Sequence, residues 1–232
     1  MEIHNYGDFI TELLRAGFSP GGGNSEGVFA VIPWSWLESA PYDTPVRWHT
    51  GDAETDPWQW RERVLDERDD IAYGKLFCRK SGYITREWYP HFFAARRGNR
   101  SFDEDYADGL ISQYAKRIYS EIEHGGAMPI HLIKQQAGFT REEKSRFDSA
   151  ITELQMKMYI TVCGRQQKLS NMGLEYGWAS TVFCKTEDFF DGEVFEQAAV
   201  LSPPEAVERI TARILTLNPT ADSKKIAKFI NG

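Results

Sequence analysis

Between residues 105 and 186 the hydrophobic period of the chain changes from helical to alternating, in an order that few folds accommodate. "DGLISQYAKRIYSEIEHGG" sets Leu110, Tyr114, Ile118 and Ile122 four residues apart with Ile111 beside them, one apolar helix face closed by Gly125-Gly126. "MPIHLIKQQAGF" predicts a short helix that starts at Pro129 and ends at Gly138. "TREEKSRFDSAITELQMKMY" opens on Thr140 and Glu143, the spacing of a capping box, and then steps through Phe147, Ile151, Leu154 and Met158. "YITVCGRQQKLSNMGLEYGWASTVFCKT" reads as a strand over 159–163, a polar loop, and a second strand over about 178–185. Helix, short helix, tight turn, long helix and hairpin is the order of a winged helix-turn-helix. In that fold Phe147, Ile151 and Leu154 pack against Leu110, Tyr114 and Ile118.

The first hundred residues alternate helix, turn and strand. Phe9, Leu13 and Ala16, with Ile10 and Leu14, make an amphipathic helix over 5–16. "SPGGGNSEG" breaks it; no Lys-Ser/Thr pair follows, so the glycines predict a turn and not a phosphate loop. "GVFAVIPW" reads as a short buried strand. Asp56 caps a helix whose first position is Pro57. "IAYGKLFCRKSGYIT" predicts a hairpin of strands 71–78 and 82–85, turning at Ser81-Gly82. "REWYPHFFAARRG" is an aromatic helix ended or kinked near Pro90 and stopped by Gly98. "NRSFDEDYADG" is a polar break, which places a boundary near residue 100. Further helices run from Ser202 to about Leu215 and onward from Asn218-Pro219. The expected class is α+β: a small α/β domain with a β-hairpin over 1–100, a winged helix over 101–190, and a C-terminal helical segment over 191–232.

Apolar residues at 41%, with 13% aromatic, are enough to bury a core. The net charge is −7, with −3 on residues 1–100 and −4 on the remainder, so neither half carries the basic footprint that phosphate binding usually leaves. No apolar run approaches membrane-spanning length, and the N-terminus lacks a secretion signal. Cys78, Cys163 and Cys184 lie far apart in sequence and predict reduced thiols in a cytoplasm. His4, His49, His91, His124 and His131 show no metal-ligand spacing, and no Gly-x-Ser-x-Gly elbow occurs. No cofactor and no metal are expected.

A winged helix can read DNA with its third helix and hold the backbone with its wing. The outward face of that helix offers Arg141, Lys144, Ser145, Asp148, Thr152 and Gln155, and the wing offers Arg165, Gln166, Gln167 and Lys168. Over 140–170 six cations stand against four acids, a locally positive stretch in an acidic chain. Double-stranded DNA is one partner that fits. The other reading is a structural or protein-binding platform with no enzymatic role.

Four motifs in order, "DIAYGKLFCRKSGYITREWYPHFFAARR", "DEDYADGL", "RFDSAITELQMKMY" and "YGWASTVF", resemble the small AlkZ-related proteins over roughly residues 56–190. These are short bacterial relatives of the DNA glycosylases that excise alkylated or cross-linked bases. The resemblance implies a link to DNA repair. The full-length enzymes carry tandem winged helices and a catalytic Gln-x-Gln or Gln-x-Asp. Neither motif occurs here; the clustered glutamines are Gln135-Gln136 and Gln166-Gln167, so no catalytic residue is carried over.

A glycosylase-like site would need an aromatic cup for an extrahelical base and a carboxylate or amide to place or activate water. The stretch "WHTGDAETDPWQWRERV" over 48–64 and the hairpin after it could supply both. Trp58, Trp60, Tyr73, Trp88 and Tyr89 would form the cup. Asp56, Asp69 or Asp70 would bring the carboxylate, and Lys75, Arg61 or Lys80 the phosphate grip. The competing reading is a helix cap with buried aromatics around it, the usual core of a small α/β domain. It leaves the acids of "GDAETD" in a solvated loop.

Overall fold

The computed structural model describes residues 2–169 and 172–232. In chain order its elements are α1 (Tyr6–Ala16), β1 (Phe18–Pro20), α2 (Pro57–Glu67), β2 (Ile71–Phe77), β3 (Lys80–Thr85), α3 (Tyr89–Arg96), α4 (Phe102–Ala107), α5 (Gln113–Gly125) and β4 (Met128–Pro129). There follow α6 (Ile130–Gln136), α7 (Lys144–Met156), β5 (Ile160–Leu169), β6 (Glu175–Lys185), α8 (Thr186–Phe189), α9 (Gly192–Ala199), α10 (Pro203–Leu217) and α11 (Ser223–Asn231). The class is α+β. Two compact units divide the chain: Met1–Gly98 with Gly192–Gly232, and Asn99–Asp191. The C-terminal helices therefore belong with the N-terminal residues.

In the first unit, Asn5 accepts the Asp8 amide and starts α1, whose apolar stripe buries Phe9, Leu13 and Ala16. Gly17 ends it in the left-handed region at φ 93°. That glycine also permits a close approach, because a Cβ there would lie 2.1 Å from the Trp88 ring. The chain then pairs β1 with β3 and β3 with β2, all antiparallel, with Phe18 opposite Ile84 and Tyr73 opposite Tyr83. The segment predicted as a strand over 27–34 is buried at Val28, Val31, Ile32 and Trp34 but is irregular. Val31, Ile32 and Trp34 owe their burial to packing on α1 and α2, among Phe9, Leu13, Trp60 and Val64, and not to strand pairing.

The β2–β3 hairpin exists, but it turns at Cys78-Arg79, both at positive φ (48° and 65°), and not at Ser81-Gly82. A two-residue hairpin turn of this kind needs both central residues left-handed, whatever their identity. Gly82 lies inside β3, where a Cβ would meet the Ser19 carbonyl oxygen at 2.8 Å and the Phe77 ring at 2.5 Å. Pro90 opens α3 instead of kinking it, since proline at the first turn sacrifices no helical hydrogen bond. On the other side of the sheet α11 inserts Phe229, stacked on Phe77 at 4.1 Å and 5.9 Å from Phe18. Arg96 donates to the carbonyls of Ile230 and Phe229 and so satisfies the end of α11. The capping box of Ser202 and Glu205 starts α10, as its Ser-Pro-Pro-Glu sequence predicts.

In the second unit, Phe102–Ala107 form α4 where a polar break was expected. Ser101 and Glu104 make a complete capping box, and Phe102 stacks on Tyr119 at 3.9 Å. α5 begins at Gln113, after Ser112 caps it, so Leu110 stands before the helix and is 52% exposed. The buried face of α5 is Ala115, Ile118, Tyr119 and Ile122, and α7 meets this core with Phe147, Ile151 and Leu154. Glu143 accepts the Thr140 amide, one half of the expected box, and α7 proper starts one residue later. β5 and β6 pair antiparallel well beyond the predicted strands, and Met128 of β4 pairs with Phe183 on the outer side of β6. Most of the polar stretch expected as a loop is therefore ladder; Ser170 and Asn171 at its tip lie outside the described residues.

Candidate functional site

A cavity of about 460 Å³ opens in the first unit, lined by residues of four segments. Gly21 and Gly22 come from the turn after β1, Trp36, Trp48 and His49 from the long loop, Pro57, Trp58 and Arg61 from the first turns of α2, and Tyr73, Lys80, Ser81 and Tyr83 from the hairpin. Gly22 is required by its neighbour, because a Cβ there would lie 2.3 Å from the Trp48 ring. Tyr73 and Tyr83 face each other across the strands at 5.1 Å. Full burial pushes the Tyr83 hydroxyl well above the ordinary tyrosine range. Trp36 and Trp58 remain 64% and 42% exposed. The Arg61 guanidinium lies 3.6 Å over the Trp58 ring, with His49 5.0 Å from that ring on centroids.

Asp56 builds this arrangement without reaching into it. It is buried, and its carboxylate accepts three backbone amides: Trp58 at 2.8 Å, His49 at 3.0 Å and Gly51 at 2.9 Å. The first is the helix cap foreseen from the sequence; the other two clamp the loop onto the helix start. His49 needs that clamp, for it holds a left-handed φ of 62° that a non-glycine residue adopts at a cost. Asp70 is likewise engaged, in a two-pronged ion pair with Arg68 at 2.8 and 2.5 Å, and Asp69 is exposed.

Of the five pocket residues read from the sequence, Trp58 and Tyr73 line the cavity and three do not. Trp60 is fully buried and stacks on Phe9 at 5.1 Å, since two residues along a helix turn it onto the opposite face. Trp88 packs edge-on against Phe18 at 5.6 Å. Lys75 is exposed on β2, outside the lining, while Lys80 and Arg61 take the cationic positions. Trp48 and His49 lie at the start of the stretch singled out from the sequence but were not assigned to the cup, and Trp36 carried no local signal; the closing of the loop brings them to α2. Among the described residues that line the cavity, none is Asp or Glu.

In the second unit the candidate DNA contacts are unequally available. Arg141 and Lys144 are exposed at the start of α7, with Lys144 paired to Asp148 at 2.7 Å. Thr152 and Gln155, expected on the outward face, are buried and bond back to the carbonyls of Asp148 and Ile151. Two of the acids counted on this stretch turn inward: Glu153 accepts the Ser112 amide and hydroxyl, and Glu143 pairs with Arg117. On the hairpin Arg165 is exposed, and Lys168 stands directly opposite Tyr176. Gln167 is spent internally, donating to the carbonyls of Tyr176 and Gly177 in a bulge that leaves Trp178 91% exposed.

All three cysteines are free thiols, yet two are not far apart in space. A hydrogen bond from Cys184 lowers Cys163, the same bond pushes Cys184 far up, and burial adds to the rise. Among the described residues no group of three His, Cys, Asp or Glu could hold a metal, and no helix is long and apolar enough to cross a membrane.

An α+β chain with an aromatic cavity whose described lining residues include no acid, and a long exposed hairpin after four helices, is the class of protein these units define. The chain belongs to the AlkZ-related family, whose model matches residues 3–231. That membership gives it a relationship to the glycosylases of DNA repair. No curated protein and no solved structure matches it.

Proposed function

We propose that residues 99–191 are a winged helix-turn-helix that binds duplex DNA without excising bases. The observation that carries the reading is the hairpin. Its two strands extend well past the core, and the exposed part bears Arg165 and Lys168 beside Tyr176 and Trp178. Cations meet phosphates, and exposed aromatic faces stack on sugars or bases. The start of α7, with Lys144 and with Arg141 in the turn before it, supplies a second contact. The absence of excision in this reading is supported by the missing Gln-x-Gln and Gln-x-Asp motifs and by the cavity, where among the described residues no lining side chain is a carboxylate and where the nearby Asp56 accepts three backbone amides.

A protein partner is the second reading, favoured by Met172, Leu174 and Trp178 exposed together toward the hairpin tip of a chain with net charge −7. Anisotropy titrations of a labelled duplex separate the two. On the DNA reading, Arg165→Ala and Lys168→Ala each weaken binding regardless of sequence and lower the salt slope by about one. Binding that neither substitution changes rejects the hairpin as the contact.

A further inference from the structure

We propose that the cavity of the first unit is a binding site for a free planar aromatic anion of mononucleotide size, separate from the DNA contacts of the second unit. Its volume, about 460 Å³, falls in the range of about 300–1,000 Å³ typical of small-molecule sites. Its chemistry is selective in charge. The chain carries 34 acids against 27 cations, yet the lining holds Arg61, Lys80 and His49 and, among the described residues, no acid. The acids nearest these cations, Glu26 on Lys80 at 2.7 Å and Glu62 on Arg61 at 3.4 Å, stand behind the lining and not in it.

The aromatic share of the lining specifies the rest of the ligand. Trp36 and Trp58 stand at the rim, Trp36 64% exposed and Trp58 42% exposed with Arg61 over one face, and Tyr73 stands on the strand floor. Flat side chains that keep exposed ring surface, Trp36 above all, favour a flat heteroaromatic ring by stacking. Arg61 already lies on the Trp58 ring, which fixes its guanidinium plane within the site. It donates through Nε to the Trp58 carbonyl and makes only a 3.4 Å contact to Glu62 through Nη2. Nη1 has no protein partner among the described residues. Lys80 bonds Ser25 at 2.6 Å and Glu26 at 2.7 Å, so it would share its charge with an incoming anion. A phosphate monoester can take a charge-assisted bond from Arg61 while its base stacks, with Ser81 and the Gly21-Gly22 backbone at hand for polar ring edges.

The site is also preorganised. Asp56 holds both His49 and Trp58 by their amides, so the loop side and the helix side of the cavity are joined before any ligand arrives.

Calorimetric titration of the full chain tests this with adenosine 5′-monophosphate and uridine 5′-monophosphate, with adenosine and inorganic phosphate as half-ligands, and with a short single-stranded oligonucleotide. The expected result is saturable binding of at least one mononucleotide, about tenfold or more tighter than either half-ligand. Arg61→Ala and Trp58→Ala should each weaken it at least about tenfold with the circular dichroism spectrum unchanged. Lys80→Ala, farther from the helix cap, gives a further variant should either of these misfold. Absence of saturable mononucleotide binding up to millimolar concentration overturns the proposal, as does affinity that none of the variants alters. Binding of the oligonucleotide alone overturns it too, because the cavity would then belong to a nucleic-acid track.

Discussion

Replacing Asp56 by alanine should be among the most damaging single changes in the first unit, and its cost can be worked from three bonds. The Trp58 amide is a helix cap, whose loss costs about 0.5–2 kcal/mol. The amides of His49 and Gly51 each lose a bond to a charged acceptor, worth about 1.5–3 kcal/mol where the amide stays buried. The loop relaxes and recovers part of this, leaving about 4 kcal/mol for Asp56→Ala. Asp56→Asn should cost about half as much. Its amide oxygen can still serve Trp58 and His49, which share Oδ1, but its NH2 group would face the Gly51 N–H, donor against donor. Urea unfolding followed by tryptophan fluorescence measures this directly, because every tryptophan except Trp178 lies in the first unit. If Asp56→Ala unfolds within about 1 kcal/mol of the parent, the carboxylate is not the clamp described here, and a catalytic role for it reopens.

Three more outcomes are expected. Ile151→Asp should unfold the second unit, since an unpaired charge beside Ile118 and Leu154 costs several kcal/mol, and loss of its circular dichroism at room temperature would report it. Burial pushes the Asp105 carboxyl up, but the Tyr159 hydroxyl at 2.7 Å and the Arg100 guanidinium outweigh it and hold it below the ordinary carboxylate range. A depressed group contributes its stability above the unfolded value, about 3.9, and loses it as pH falls through the folded value. Tyr159→Phe should therefore cost about 1 kcal/mol at neutral pH and reduce the loss of stability below about pH 4, read from unfolding curves at both. Incubation with an alkylated duplex should release no free base; release abolished by one Asp→Ala change would restore a glycosylase.

The long helices were legible because their apolar residues repeat at four and three residues with nothing else to explain the spacing: Ile118 and Ile122 in α5, and Phe147, Ile151 and Leu154 in α7. Leu110 fits the same arithmetic yet lies outside the helix, since the Ser112 cap decides where it begins. The Asp56-Pro57 start was equally plain. α4 was overlooked because its composition is polar, although Ser101 and Glu104 are spaced as a capping box and were the available signal. The Cys78-Arg79 turn had no signal of its own; a glycine elsewhere in the same strand drew attention from it. In the candidate site, Trp58 and Tyr73 were found and Trp60 was misplaced by one helix face. Trp48 and His49 lay inside the stretch singled out but outside the cup assigned to it, since His49 is placed by a bond from Asp56 seven positions away, and Trp36 carried no signal of its own.

The most direct measurement is the affinity of the full chain for an undamaged duplex at two salt concentrations. If Arg165 and Lys168 each neutralise one phosphate, binding is saturable at low salt and its logarithm falls with that of salt at a slope of about −2 or steeper. No saturable binding at low salt, or an affinity indifferent to salt, contradicts a DNA-binding hairpin and leaves the exposed tip to a protein partner.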